Sequence, residues 1–286
     1  IRAGQIGRVA GIVGALVSAA LSSVALHLPL VVGGSLMIVL AVILTVGMRE
    51  HGFTPTVTAG ASPWRETWKG FRLGLAAVRA APLLLMLCGL ELFMGSSMEG
   101  FDRLGDVHLL TNFTFPALGG LSLAYWFAIL RIGGALLTLV VVEPLRPRLE
   151  KLTRTSSSAA YGLLAFDGLS MLAVIGFGLA GEFWVAASCI LLRTLAFGLA
   201  EPLFQAWLVQ NTQPATRATA MSFVGQAHAF GEMAGGPGVG WVGSTFGLRP
   251  ALLTAALLLT PALPFYLVAA RRSPDGEPAV AELEAI

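Results

Sequence analysis

Charged residues are scarce in this chain: 12% of its 286 residues are Asp, Glu, Lys or Arg, whereas 56% are hydrophobic, and the mean hydropathy is +0.78. A water-soluble domain of this length needs a larger polar surface than this composition provides. The formal net charge is only +2 and the basic residues are scattered, which excludes a nucleic-acid-binding protein. The composition therefore predicts a polytopic membrane protein.

Cysteine is rare, and the signatures of common enzymes are missing. Cys88 and Cys189 each fall within an apolar run, which predicts two free thiols instead of a disulfide. The four histidines show no metal-ligand spacing, and the sequence contains neither a Gly-Lys-Ser/Thr phosphate loop nor a Gly-x-Ser-x-Gly nucleophile motif. We therefore predict a protein that is not an enzyme, with no catalytic residues, no metal and no cofactor.

Long apolar runs are what the sequence has in abundance. A membrane-spanning helix needs roughly 20 mostly apolar residues, and the chain supplies such a run eight times. The predicted fold is an all-α membrane protein with eight transmembrane helices, here called spans A to H, at residues 9–26, 28–48, 82–100, 120–142, 159–180, 183–207, 217–244 and 248–270.

The distribution of basic residues predicts the orientation of these spans. Lys and Arg concentrate in cytoplasmic loops, and a cytoplasmic amino terminus places 14 of the 18 on the inside. Arg103 and Arg249 then lie outside, and Arg131 and Arg193 lie within spans. Both termini are expected in the cytoplasm. The inside set is Arg2, Arg8, Arg49, Arg65, Lys69, Arg72, Arg79, Arg146, Arg148, Lys151, Arg154, Arg217, Arg271 and Arg272.

The spans are arranged as two plus six. Residues 1–48 form a helical hairpin, residues 49–81 form a polar connector, residues 82–272 form a six-helix bundle, and residues 273–286 are expected to be a disordered cytoplasmic tail. The connector repeats Trp64, Trp68, Phe71, Leu75 and Val78 at helical spacing opposite basic residues, which predicts an amphipathic helix on the membrane surface. A partner-binding helix is the alternative reading.

Small residues line one side of spans A and G and allow close approach of another helix. They serve either tight packing or a sliding surface, with a bend at the proline. The residues concerned are Gly7, Gly11, Gly235, Gly236, Pro237 and Gly240.

Ionisable residues within the spans are the candidate functional residues, because each needs a partner or a wet cavity in the bilayer. Glu91, Arg131, Asp167, Arg193 and Glu232 are predicted near mid-depth, where they form either a substrate and proton pathway or two structural ion bridges. The bridges would join Glu91 to Arg131 and Asp167 to Arg193, and Glu232 has no evident basic partner.

A second charged group is expected at the cytoplasmic end of the bundle. Glu201 lies near the end of span F, and Arg146 and Arg148 follow span D at the same level. These three residues are predicted to form a salt-bridged cytoplasmic gate.

Three stretches of sequence and the two-plus-six layout resemble a known family. The stretches are the run Met98-Glu99-Gly100-Phe101-Asp102-Arg103-Leu104, the opening Arg217-Ala218-Thr219-Ala220-Met221-Ser222 of span G, and its centre Gly235-Gly236-Pro237. Together they resemble the major facilitator superfamily, in particular its bacterial multidrug and tetracycline-type exporters. Spans A and B match the last two helices of that family's amino-terminal bundle, and spans C to H match its carboxy-terminal bundle.

The resemblance implies a secondary active transporter of the bacterial inner membrane that exports small molecules in exchange for protons. Spans C, D, F and G would line its cavity, which places Glu91, Arg131, Arg193 and Glu232 near the substrate path, and residues 143–148 would form a gating loop. Four amino-terminal helices would be missing, so the chain is expected to need them or a second chain and not to transport alone. A membrane scaffold or sensor with a transporter-like fold is the alternative.

Overall fold

The computed structural model describes residues 2–47, 63–80, 82–117, 119, 123–212 and 217–272, and these residues form helices without strands. The apolar runs have no period-two alternation and satisfy their backbone hydrogen bonds within each helix, as a lipid environment requires. The helices are α1 Arg2–Val24, α2 Leu28–Gly47, α3 Pro63–Ala80, α4 Pro82–Asn112, α5 Ala124–Leu152, α6 Ser156–Leu179, α7 Phe183–Gln210, α8 Arg217–Phe246, α9 Leu248–Leu257 and α10 Leu263–Arg272.

Six helical segments in the described part of the chain are long and apolar enough to cross a membrane. They are Leu28–Gly47, Pro82–Asn112, Ala124–Leu145, Ser156–Leu179, Phe183–Gln210 and Leu248–Arg271. The predicted count of eight is therefore not reached. The apolar part of α1, Ala10–Val24, is too short, and α8 is long enough but is not among the helices that are apolar enough. The six helices are compatible with a multi-pass membrane protein.

Several element boundaries differ from the prediction. Residues 143–148 were expected to form a loop, but α5 continues through them to Leu152 with Pro144 and Pro147 inside the helix. Span H is interrupted: α9 ends at Leu257 and a 3₁₀ turn over Thr260–Ala262 precedes α10. Pro261 and Pro264 lack the amide hydrogen that a continuous α-helix requires at these positions, which accounts for the break.

The chain divides into two compact units. The first comprises Ile1–Lys69 and Phe115–Ala135. In it, α1 and α2 are joined by a tight turn closed by a 3.1 Å hydrogen bond from the Leu28 amide to the Ala25 carbonyl. The Trp126 indole donates a 2.9 Å hydrogen bond to the Pro116 carbonyl, which ties the start of α5 to the segment that precedes it.

The second unit comprises Gly70–Thr114 and Leu136–Ile286 and contains the main core. Its largest fully buried side chains include Trp207 and Tyr266, which pack against each other with ring centroids 6.2 Å apart. The Trp207 indole donates a 2.6 Å hydrogen bond to Ser156 at the start of α6, where Thr155 caps the helix. A buried polar atom is therefore satisfied at the point where α6 and α7 meet.

The predicted amphipathic connector contains a helix, α3. Its tryptophans, Trp64 and Trp68, are exposed, whereas Val78 is buried in the core of the second unit and Phe71 packs on Phe223 at 5.5 Å between ring centroids. Residues 49–62 of the connector and the predicted tail at 273–286 lie outside the described residues.

Candidate functional site

A cavity of about 490 Å³ lies within the second unit, between α4, α6, α7, α8 and α10. Its polar lining comes from Glu91, Asp167, Glu201, Gln205, His228 and Tyr266. Its apolar lining includes three methionines and two phenylalanines, Met94, Met98, Met221, Phe197 and Phe204. Among the described residues that line it there are three carboxyl groups and no Lys or Arg, so the cavity favours a positive charge.

The closest polar contact in the cavity joins α4 to α8. Nδ1 of His228 lies 2.7 Å from Oε2 of Glu91, within the range of a charge-assisted hydrogen bond. The two residues are 137 positions apart in the sequence. Glu91 is therefore paired with an imidazole that the sequence analysis did not select.

Small residues bring the backbones of α4 and α8 into direct contact beside this pair. A Cβ atom at Gly95 would collide with the carbonyl oxygen of His228, and one at Gly231 would collide with that of Leu92. A Cβ atom at Gly235 would meet the backbone of Ser96. The crossing therefore requires glycine at these positions, and it fixes the distance between the side chains one turn away.

The two remaining small residues predicted in α8 have different surroundings. A Cβ atom at Gly236 would lie 3.0 Å from Cγ of Glu99, whereas one at Gly240 would meet nothing within 4 Å in the described part of the chain. Gly7 and Gly11 of α1 likewise have no described atom within 4 Å of an added Cβ. Pro237 lies inside α8 and is exposed.

Glu232 lies on the other side of His228. Its Oε1 atom is 3.5 Å from Nε2 of His228, one helical turn earlier in α8. The expectation that Glu232 has no basic partner is therefore wrong, because the imidazole lies within reach. Glu232 also lines a second, more open cavity of about 580 Å³ together with the ion pair of Glu99 and Arg103, whose N–O distance is 2.7 Å.

Asp167 and Arg193 do not pair with each other. The carboxylate of Asp167 is 3% exposed and accepts a hydrogen bond from the hydroxyl of Tyr266. The guanidinium of Arg193 lies 3.3 Å from Asp102 and 4.0 Å above the ring centroid of Phe101. Arg193 is therefore held by two residues of α4 and does not line the cavity, so the predicted bridge is wrong.

Arg131 is exposed and belongs to the first unit. Its pairing with Glu91 and its place in a substrate pathway stay predictions.

Two of the three residues of the predicted gate, Glu201 and Arg148, have described side chains, and these two form no ion pair with each other. Glu201 lines the cavity and accepts a 3.0 Å hydrogen bond from Gln205, one turn later in α7. Arg148 is exposed near the end of α5, and the side chain of Arg146 lies outside the described residues. The gating role stays a prediction.

Three polar residues that line the cavity were not predicted from the sequence: Gln205, His228 and Tyr266. Tyr266 was hidden in an apolar run, and His228 was tested only for metal-ligand spacing. The sequence spacing could have predicted one of these contacts, because His228 and Glu232 are four residues apart and therefore share a helix face. Among the described residues, no group of three or more His, Cys, Asp or Glu side chains is arranged to hold a metal ion.

In comparisons with protein-family models and with curated proteins, no family model and no curated protein matches this chain.

Proposed function

We propose that this protein is a secondary active transporter of the cell membrane that exchanges a small cationic molecule for protons by alternating access. The observation that carries the proposal is the cavity within the second unit, which combines three carboxyl groups with methionine and aromatic side chains. Carboxylates inside a membrane bundle are costly unless they bind a cation or a proton, and flexible thioether and aromatic groups accommodate apolar bodies.

The proposed topology has eight spans, with both termini in the cytoplasm. In this arrangement α8 crosses the bilayer although its composition is polar, because Glu232 and His228 point to neighbouring groups and the glycines pack on α4. The family resemblance to exporters of the major facilitator superfamily supports this reading. Alternating access requires two facing bundles around one site, so we propose that the six-helix bundle acts with a second bundle that faces it.

Transport by inverted membrane vesicles tests the proposal, and the vesicles come from the cells that naturally make the protein, because those cells also supply the facing bundle that alternating access requires. Tetraphenylphosphonium is a suitable probe because it is a cation with an apolar body. Its addition is expected to discharge the proton gradient, read by acridine-orange fluorescence, in vesicles with the natural protein. Glu91→Gln removes a cavity carboxyl and is expected to abolish this discharge. The matched control is Glu182→Gln, because Glu182 is exposed before α7 and outside the cavity lining.

A membrane scaffold or sensor is the competing function. It predicts that the discharge of the proton gradient is the same in three kinds of vesicle: those without the protein, those with the natural protein and those with Glu91→Gln. That result would refute the transport proposal.

A further inference from the structure

We propose that Glu91, His228 and Glu232 form a proton-transfer triad that connects the main cavity with the second cavity. The use of the triad to couple substrate transport to proton movement rests on the proposed transport function. Proton exchange between the three side chains does not depend on that function. The three side chains lie in a row at the contact between α4 and α8, with His228 in the middle. Oε2 of Glu91 lies 2.7 Å from Nδ1 of His228, and Oε1 of Glu232 lies 3.5 Å from Nε2 of His228. Each nitrogen of one imidazole thus faces a different carboxyl group.

The triad joins two separate cavities. Glu91 and His228 line the main cavity, whereas Glu232 lines the second cavity with Glu99 and Arg103. The side chain of Arg103 is 74% exposed, so the second cavity opens at the surface of the described helices. A proton that enters at Glu232 can therefore reach the main cavity through His228 without crossing apolar core.

The contact of α4 with α8 fixes the geometry of the triad. Gly95 and Gly231 place the two backbones in contact between the three side chains. The hydroxyl oxygen of Ser96 lies 2.9 Å from the carbonyl oxygens of both Leu92 and Gly231, and its single proton is shared between them, so it links the two helices at the same level. His228 is held at one end by Glu91, while the side chain of Glu232 is 44% exposed and can rotate to shorten its 3.5 Å contact.

Acidic groups dominate the surroundings of His228. Asp167 of α6 and Glu201 of α7 face the same cavity, and Tyr266 of α10 is engaged by Asp167. The guanidinium of Arg249, from α9, donates instead to the Ala180 carbonyl at 3.1 Å. A proton on His228 is therefore stabilised by nearby carboxylates, and no Lys or Arg is among the described residues that line the main cavity. Arg103 lines the second cavity beside Glu232, where its charge is paired with Glu99 at 2.7 Å.

The transfer conserves charge and atoms. The protonated carboxyl of Glu232 gives its proton to Nε2 of His228, and the proton on Nδ1 passes to the carboxylate of Glu91. One proton has then moved from the second cavity to the main cavity, and the imidazole is again neutral. Ring rotation or exchange with cavity water restores the starting tautomer.

Infrared titration of the purified full chain in detergent tests the triad without any need for transport. The infrared bands of the two carboxyl groups are assigned from their loss in Glu91→Gln and Glu232→Gln. The titration of the same bands is then measured in His228→Gln. If the triad exists, the titration midpoints of both carboxyl bands shift in His228→Gln. They are unchanged in the control His27→Gln, because His27 is exposed in the turn after α1. Midpoints that are the same in His228→Gln and the natural protein would overturn the proposal.

A second measurement separates the triad from the transport function. In the inverted vesicles, His228→Gln is expected to lower the probe-driven proton flux by about 100-fold, the low end of what a positioned proton-transfer group contributes. Binding of tetraphenylphosphonium to purified Glu232→Gln should change little, because Glu232 is not among the described residues that line the main cavity. Glu232→Gln, whose side chain is partly exposed, gives the same result if His228→Gln does not fold. If the natural protein shows no flux, the transport function fails, and the infrared midpoints still decide the triad.

Discussion

The hydroxyl of Tyr266 donates a hydrogen bond to the carboxylate of Asp167, and this contact joins the last helix of the described chain to the middle of α6. Asp167 is 3% exposed and Tyr266 is fully buried. A buried carboxyl group without a hydrogen-bond donor is strongly unfavourable. Tyr266 therefore makes the position of Asp167 in the cavity wall tolerable.

Replacement of Tyr266 by Phe is expected to destabilise the bundle by about 1–3 kcal/mol, the typical cost of an unsatisfied buried polar group. The aromatic packing on Trp207 is retained, so the loss reports the hydrogen bond. Thermal unfolding of the purified chain in detergent measures it. Tyr161→Phe is the control, because Tyr161 is exposed. Equal unfolding midpoints for the two variants would contradict this role for Tyr266.

The apolar spans could be predicted from composition alone, because a bilayer requires long apolar helices of nearly fixed length. The break at Pro261 and the continuation of α5 through Pro144 were not predicted, because a proline can end a helix or be tolerated inside it depending on neighbours. Asp167 and Arg193 lie within helices as predicted, but each has a partner other than the one predicted.

The partners could not be predicted because depth along a span does not specify the direction of a side chain. Asp167 and Arg193 are at similar predicted depth, yet one faces Tyr266 and the other faces Asp102. The pairing of Glu91 with His228 depends on the glycine contact between α4 and α8. Only the spacing of His228 and Glu232 within one helix was accessible from the sequence.

Replacement of Gly231 by Ala is expected to destabilise the contact of α4 with α8 by about 1–3 kcal/mol, as overpacking does. Its Cβ atom would collide with the carbonyl oxygen of Leu92, which cannot move without the helix. Thermal unfolding of the purified chain is again the measurement. Gly240→Ala in the same helix is the matched control, because its Cβ atom would have no described atom within 4 Å.

The control should be unchanged or more stable, since Ala is a better helix former than Gly by about 1 kcal/mol. An unfolding midpoint for Gly231→Ala at or above that of Gly240→Ala would show that the crossing does not require glycine at position 231.

The aromatic contact of Arg193 is expected to contribute more than its ion pair. The side chain of Asp102 is 55% exposed and that of Arg193 is 17% exposed, so the ion pair lies at the surface of the described helices on the Asp102 side, and Asp102→Asn should cost less than about 1 kcal/mol. Arg193→Lys loses the planar group that lies 4.0 Å above Phe101. Urea unfolding of both variants compares the two contributions, and a larger loss for Asp102→Asn would reverse this order.

The polar helix α8 is expected to cross the membrane. Its 30 residues extend for about 45 Å, which exceeds the roughly 30 Å of hydrocarbon. Its polar groups, His228 and Glu232, have partners or face a cavity, so the lipid does not have to solvate them. In the proposed topology, Thr219 is therefore cytoplasmic and Thr245 lies on the outer side.

Labelling with a membrane-impermeant maleimide tests this crossing in a chain whose two cysteines are replaced by Ser. Thr219 and Thr245 are both exposed, so each can be replaced by Cys at small structural cost. Right-side-out vesicles should label Thr245→Cys but not Thr219→Cys, and inside-out vesicles should give the reverse. Labelling of both positions from the same side would show that α8 enters and leaves the bilayer on one face. The triad would then connect two spaces on one side of the membrane and could not couple transport to a proton gradient.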